Sequence, residues 1–293
     1  MTNMKTILVT GVNGQVGWEL QRSLQGLGRI VALSRNEMDL SNPDSIRTAV
    51  RQHNPGLIIN PAAYTAVDQA EKEVELAHAI NGIAPGVLAE EAKRLNAPLI
   101  HFSTDYVYDG DKAGRWLETD ATNPQSAYGR SKLAGEEAIR AVQAQHLILR
   151  TSWVYAARGK NFLLTMLRLA KDKDTLGIVA DQFGAPTWCR TLADMTAHIV
   201  ASRPDWHEVS GTYHFTCSGE TSWHGFATAI FAESAKRGNK VPATLNTLTT
   251  DQYPLPAKRP KNSRLSLDKL DQTFGITPPS WEQALALCFE DIR

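Results

Sequence analysis

The stretch "KTILVTGVNGQVGWELQRSL", Lys5 to Leu24, decides the fold. A β-branched apolar run reads as a buried strand, and Gly11, Gly14 and Gly17 follow it. Val16, Leu20 and Leu24 then recur at helical spacing. Strand, glycine turn and helix in that order is the setting in which a glycine motif carries weight. Gly11 permits a tight turn, Gly14 lets a phosphate approach the backbone, and Gly17 allows the helix to pack close to the strand. The helix start offers free N–H groups and a positive dipole end, both suited to a pyrophosphate. Asn13, Gln15 and Val16 share this turn, so they join the glycines as expected cofactor contacts. The spacing is G-x-x-G-x-x-G rather than G-x-G-x-x-G, and a tight strand-helix turn that binds nothing is the alternative.

Further strands and helices alternate downstream. "RIVALSR" (Arg29 to Arg35) reads as a strand, Pro43 to Gln52 as helix and "GLIIN" (Gly56 to Asn60) as strand. Val67 to Leu95 reads as one long helical region, then "PLIHFST" (Pro98 to Thr104) as strand. A helix from about Ser126 to Gln143 and the strand "HLILRTS" (His146 to Ser152) follow. This alternation predicts an α/β fold with a doubly wound, parallel, Rossmann-like sheet and a smaller C-terminal substrate domain. The expected division is 1–152 for the dinucleotide and 153–293 mainly for substrate, with elements able to return to the sheet. The closing "SWEQALALCFEDI" reads as an amphipathic helix.

Ligands of such sheets lie beyond the carboxyl ends of the strands. That rule selects Gly11 to Gly14, Pro61 to Tyr64, Ser103 to Tyr106 and Ser152 to Tyr155. Ala62 and Ala63 are small enough for a cofactor to lie against, with Tyr64 beside them. The second strand ends in Ser34 and Arg35, without an acidic residue to hold a ribose 2′-hydroxyl. Arg35 can hold a 2′-phosphate instead, which favours NADPH over NADH, or it is a solvated loop charge. Asp39 and Leu40 can bracket an adenine by hydrogen bond and apolar contact.

Composition narrows the partners. The 293 residues are 42% hydrophobic, and 31 basic residues balance 31 acidic ones, so no basic face offers itself to a nucleic-acid backbone. No apolar run approaches the ~20 residues of a membrane span, and the N-terminal run is too short for a signal peptide's apolar region. Three cysteines, Cys189, Cys217 and Cys288, form neither a disulfide framework nor a C-x-x-C metal site, which fits a reducing cytoplasm. The histidines show no paired metal spacing. The dense basic cluster "AKRPKNSR" (Ala257 to Arg264) suits a small anion such as a nucleotide diphosphate, or is a solvated charge run.

Two segments set a lysine four residues after a tyrosine: "YDGDK" (Tyr108 to Lys112) and "YGRSK" (Tyr128 to Lys132). That spacing shares a face only in a helix. The first carries an Asp-Gly turn signal and no helical periodicity, so it reads as coincidence. The second follows Asn123, Pro124 and Ser126, which suit a helix start, and runs on as a good helix former. Gly129 within it signals a close approach by something. Tyr128 and Lys132 thus form the expected acid-base pair, near the strand end that carries Ser103 and Thr104. A nearby ammonium is expected to lower the phenol's pKa towards neutrality. Tyr128 then gives its proton to a carbonyl oxygen as hydride arrives at carbon. Thr104 hydrogen-bonds the same oxygen, and Lys132 can also hold the nicotinamide ribose.

"TGVNGQVG" together with "YGRSK" resembles the extended short-chain dehydrogenase/reductase superfamily. "NPAAYTAVDQAE", "HFSTDYVYDG", "LRTSWVYA", "NFLLTMLRLA", "DQFGAPT" and "RPKNSRL" narrow the resemblance, over nearly the full length, to the dTDP-4-dehydrorhamnose reductase family. The resemblance implies reduction of the 4-keto group of a dTDP-linked 6-deoxy-4-keto sugar with hydride from NADPH or NADH. It implies that Thr104, Asp105 and Trp153 meet the sugar, with Tyr106, Asn161 and Arg259 as further substrate contacts. It also raises Mg2+ and a homodimer, since some members join a divalent ion through acidic residues after the G-x-P-T block. Here Arg190 stands in that segment, an unpromising ligand, with Asp194 farther on. Pro61 stands where the family usually has a small residue. Another nucleotide-sugar ketoreductase or epimerase, or a non-catalytic NADP(H)-binding regulatory subunit, are the rival readings. Thr104, Tyr128 and Lys132 together count against the second rival.

Overall fold

A computed structural model describes residues 6–202 and 204–292. Lys5 and the first residues of the N-terminal run lie outside them. Five strands come from the first half: β1 (Thr6–Val9), β2 (Arg29–Ala32), β3 (Leu57–Asn60), β4 (Leu99–Thr104) and β5 (His146–Thr151). A sixth, Gly211–His214, pairs parallel with β5, and the sheet order is β2-β1-β3-β4-β5 followed by that strand. All pairings within it are parallel, as expected for the doubly wound class. Chain order reverses beside β1, which lies between β2 and β3. That reversal opens the crevice in which such sheets hold ligands.

Alternate residues of each strand feed two cores. Ile7, Val9, Ile59, Leu147 and Leu149 pack with Leu20 and Leu24 of α1 (Gln15–Ser23) and its extension, and with Leu192 and Ile199 of helix Cys189–Ser202. Leu8, Ile58, Leu99 and Ile148 face the other way. They meet Ile46 and Val50 of α2 (Pro43–His53), Leu88 of helix Ala84–Arg94 and Ile139 of helix Ala127–Val142. Each fully buried Leu or Ile contributes about 1.5–3 kcal/mol relative to exposure, so these stripes fix where the strand ends lie.

The continuous helix expected from Val67 to Leu95 is broken. It runs as Val67–Ala70, Val74–His78, a π-helical turn Ala79–Ile83, then Ala84–Arg94. Pro85 lacks the N–H that would bond the Asn81 carbonyl four residues back, so the ladder widens there. Gly135, on the neighbouring helix, packs directly on that freed carbonyl. The Asn81 side chain accepts from Tyr64 N at 2.8 Å and donates to Tyr64 O and to Ser131 Oγ, each at 3.0 Å. One residue thereby ties the Pro61–Tyr64 wall to the Tyr128 helix.

The second half builds its own core around Tyr155, Met166, Trp188, Phe226, Ile230, Trp281 and Phe289. Its three cysteines are buried and free. Among the described residues no helix is long and apolar enough to cross a membrane.

Candidate active site

Gly11 adopts φ +57°, and a Cβ there would lie 2.7 Å from that of Ala62. A side chain is excluded both by backbone conformation and by space. Gly14 N donates to Gly11 O at 2.9 Å, and a Cβ on Gly17 would strike the same carbonyl. No side chain caps α1, so its first-turn N–H groups point out of the loop with Asn13 and Gly14 exposed beside them. The loop is thus built from backbone alone, and an uncapped helix start of this kind suits an anion. A cavity of about 220 Å³ lies next to it, lined by Thr10, Gly11, Arg35, Met38, Asp39, Leu40, Ala62, Ala63, Tyr64 and Ile80. It sits at the carboxyl ends of β1 and β3. A more open hollow of about 280 Å³ near Arg140, His146 and His207 lies at the start of β5, the wrong end of the sheet for a ligand of this fold.

One acidic group here, Glu37, was not among the expected cofactor contacts. Glu37 folds back so that its Oε2 accepts from both the N–H and the hydroxyl of Ser34, at 2.8 Å each. These bonds hold its carboxyl below the usual range. The S-x-x-E spacing was the available signal, since it lets a carboxylate reach back to the residue three before it. Asp39 is held low in the same way by the N–H and hydroxyl of Ser41.

Helix Ala127–Val142 starts where Ser126 accepts from Gly129 N at 3.1 Å and ends on Gln143 at φ 56°. Gly129 packs on the Tyr106 carbonyl, and Gly135 on that of Asn81, which seats the helix against the end of β4. Tyr128 and Lys132 are both buried. The Tyr128 ring meets Tyr106 edge-on at 5.4 Å. Thr104, the last residue of β4, donates to Asp105 Oδ1 at 3.0 Å and accepts from Tyr106 N at 3.2 Å. Thr104, Asp105, Tyr106 and Tyr128 therefore meet at one strand end. Burial raises the Asp105 carboxyl to about 6, against the bonds it accepts from Ser263 and Thr104.

The expected pKa of Tyr128 is corrected. Burial pushes its phenol above the ordinary value, and only its bond with Thr104 pulls the other way. Lys132 is not among the groups that act on it. The Lys132 Nζ instead donates to Phe102 O at 2.7 Å and lies 3.3 Å from His101 Nε2. Burial lowers that ammonium to about 8, with Glu136 opposing. A one-turn spacing sets two side chains on one face but does not make their tips touch.

Residues 4–293 match the family described as RmlD substrate binding domain. A dTDP-4-dehydrorhamnose reductase of Burkholderia thailandensis is 50% identical over 293 residues, covering 98% of each chain. The chain belongs to the dTDP-4-dehydrorhamnose reductase family. The reductase of Escherichia coli K12 is 47% identical, with 94% of each chain covered. Among solved structures, the reductase of Bacillus anthracis in complex with NADP is 34% identical at a TM-score of 0.91, covering 98% of this chain and 99% of that one. The UDP-glucose 4-epimerase of Thermus thermophilus, 18% identical at a TM-score of 0.80, shares the fold.

The remaining residues singled out from the reductase resemblance are spread around this strand end. Trp153 takes φ 50°, stacks on Trp223 with centroids 3.7 Å apart and covers Gly184, where a Cβ would lie 2.8 Å from its ring. Asn161 donates to Gln15 Oε1 at 2.8 Å and caps helix Phe162–Asp172, so it joins the second half to the glycine loop. Arg259 reaches Asp68 at 2.6 Å and the Tyr106 hydroxyl at 3.2 Å. Much of the basic cluster is already paired, since Lys261 meets Asp181 and Arg264 meets Glu220. Arg190 bridges Glu19 at 3.1 Å and Asp291 at 2.9 Å, and Asp194 accepts from Ser23. Among the described residues no group of three acidic, histidine or cysteine side chains could hold a metal ion.

Proposed function

We propose that this chain reduces the 4-keto group of dTDP-4-dehydro-L-rhamnose, giving dTDP-L-rhamnose, as an NAD(P)H-dependent oxidoreductase. The observation that carries the reading is the meeting of Thr104 and Tyr128 at the end of β4, beside a side-chain-free glycine cradle. Gly11, Asn13, Gly14, Gln15, Val16 and Gly17 would hold the pyrophosphate, Ala62, Ala63 and Tyr64 the cofactor's flank, and Lys132 the nicotinamide ribose. Thr104, Asp105, Tyr106, Trp153, Asn161 and Arg259 would meet the dTDP-sugar. Residues 1–152 then serve mainly the dinucleotide and residues 153–293 mainly the sugar nucleotide.

A nicotinamide held there would supply the hydride that the keto carbon receives. Tyr128 gives its phenolic proton to the keto oxygen, turning C=O into C–OH, and Thr104 turns its hydroxyl from Asp105 to donate to that oxygen as charge builds. The raised pKa suits this direction, because the phenol enters each cycle protonated. The phenolate left behind is stabilised once the Lys132 ammonium reaches it, and it regains a proton before the next turnover. At the adenosine end Arg35 favours a 2′-phosphate, whereas Glu37 already occupies the Ser34 donors and favours a ribose hydroxyl. Use of both NADPH and NADH follows from that opposition. Mg2+ has no part in this reading, because Arg190 binds the acidic groups near the G-x-P-T block. A cytoplasmic location and a homodimer belong to the proposal, and light scattering reads the latter as twice the 32.3 kDa chain mass.

The test is oxidation of NADPH, then of NADH at matched concentration, with dTDP-4-dehydro-L-rhamnose. Turnover with both, product confirmed as dTDP-L-rhamnose, is the expected result. Cofactor binding without turnover would shift the assignment to a different keto sugar or to a regulatory subunit.

A further inference from the structure

Three polar side chains stand in register across the centre of the sheet, all of them buried: Thr10 just past β1, Asn60 on β3 and His101 on β4. The Thr10 hydroxyl donates to Asn60 Oδ1 at 2.6 Å, and Asn60 Nδ2 lies 3.0 Å from His101 Nδ1. His101 Nε2 then lies 3.3 Å from Lys132 Nζ. The row runs from the cofactor cavity, which Thr10 lines, to the lysine of the Tyr-Lys pair. Apolar residues would fill these positions at lower desolvation cost, so a polar row here calls for a purpose.

Its hydrogen-bond directions supply one. With Asn60 donating to Nδ1, a neutral His101 carries its proton on Nε2, where it meets Lys132. That arrangement accepts an amine and repels an ammonium. Turning the Asn60 amide over places the imidazole proton on Nδ1, bonded to Asn60 Oδ1. Nε2 then accepts from the Lys132 ammonium, and Nδ2 donates to Thr10. The row thus has two polarities, one for each charge state of the lysine. Burial and the Lys132 charge both keep His101 itself neutral.

We infer that His101 is a positioning residue that sets the charge state of Lys132 through the Thr10-Asn60-His101 row. The inference rests on the proposed role of the Tyr128-Lys132 pair, although its test does not. Besides His101 on β4, the ionisable group acting on Lys132 is Glu136 on its own helix. The Glu136 carboxylate is held by Arg150 on β5, Arg140 and Ser103.

The titration of Lys132 is followed through the 13Cε resonance of labelled lysine in the whole protein without substrate, assigned by its loss in Lys132→Met. His101→Leu removes the acceptor that the turned row offers the ammonium and deepens the desolvation, so the midpoint falls by about one pH unit or more. His101→Gln keeps an acceptor and stays close to wild type. Asn60→Asp fixes the imidazole proton on Nδ1 and adds negative charge, so the midpoint rises. The alkaline limb of kcat/KM moves with these midpoints. A residue that only fills space would give His101→Leu and His101→Gln the same midpoint, and that result overturns the inference. If His101→Leu fails to fold, Asn60→Asp is compared with the Asn60→Asp/His101→Gln double variant, which keeps the added charge and loses the imidazole, and an equal rise in both rejects the row. Failure of the assigned reaction would appear as absent turnover in wild type, leaving the titration readable.

Discussion

The segments Tyr108–Lys112 and Tyr128–Lys132 have the same spacing and opposite fates. Tyr108 follows a three-residue 3-10 turn on extended backbone, and Tyr128 lies in the first turn of a sixteen-residue helix. The Tyr108 hydroxyl is consumed inside the protein. It lies 2.8 Å from His214 Nε2, 3.0 Å from Leu117 O and 2.6 Å from Arg150 NH1, while its ring stacks on Trp116 at 4.4 Å. Lys112 turns away to pair with Asp120 at 2.5 Å. The Tyr128 hydroxyl has Thr104 alone pulling against burial, at a strand end where ligands of this fold bind. Motif spacing therefore says little until the backbone between the two residues and the partners around each are known.

The two segments are also joined. Arg150 holds both the Tyr108 hydroxyl and Glu136 of the Tyr128 helix, the latter at 2.6 Å with both partners buried. Replacing it by methionine leaves the Glu136 carboxylate without its main partner, and the expected loss is about 3–5 kcal/mol in denaturant unfolding. A loss under about 1 kcal/mol would mean the two motifs are independent. A smaller effect comes from pH. His214 is depressed by burial to about 3 from an ordinary 6.5. The unfolded chain therefore binds a proton that the folded one refuses, and stability falls as pH drops from 6.5 towards 3, by about 1.4 kcal/mol per unit. Asp105, raised to about 6, acts in the opposite sense as pH drops from about 6 towards 3.8. Comparing melting at pH 7 and 5 in wild type and His214→Gln isolates the first contribution, and an equal drop in both would remove His214 from the account. The smallest effect is that of Lys112→Ala. Its pair with Asp120 is partly exposed, so less than about 1 kcal/mol is lost and turnover holds. A large loss of turnover would return the first motif to the chemistry.

Much of this was legible in sequence because it rests on local pattern. The β-branched runs gave the strands, and Ser126 and Gln143 marked the helix of Tyr128 to within a residue at each end. The Asp-Gly step correctly kept Tyr108 off a helix. Pro85 was visible, but its effect depends on Gly135 of another helix receiving the Asn81 carbonyl, which no local window contains. The row of Thr10, Asn60 and His101 was hidden for the same reason. Thr10 lies just past β1, Asn60 ends β3 and His101 sits inside β4, and only the parallel register brings them together. An element of the second half was expected to be able to return to the sheet, but its short mixed signals did not single out Gly211–His214 as that strand. The pKa of Tyr128 was misjudged because spacing fixes a face, whereas rotamers fix where an ammonium points.

Tyr128→Phe and Tyr108→Phe, assayed side by side for NADPH oxidation with dTDP-4-dehydro-L-rhamnose and for NADPH binding, test the central claim most directly. The account predicts that Tyr128→Phe loses about 10²–10⁴-fold in turnover while still binding NADPH. Tyr108→Phe should keep wild-type turnover and lose about 1–3 kcal/mol of stability, the cost of leaving buried partners unsatisfied. An active Tyr128→Phe, or a folded Tyr108→Phe that has lost turnover, would contradict it.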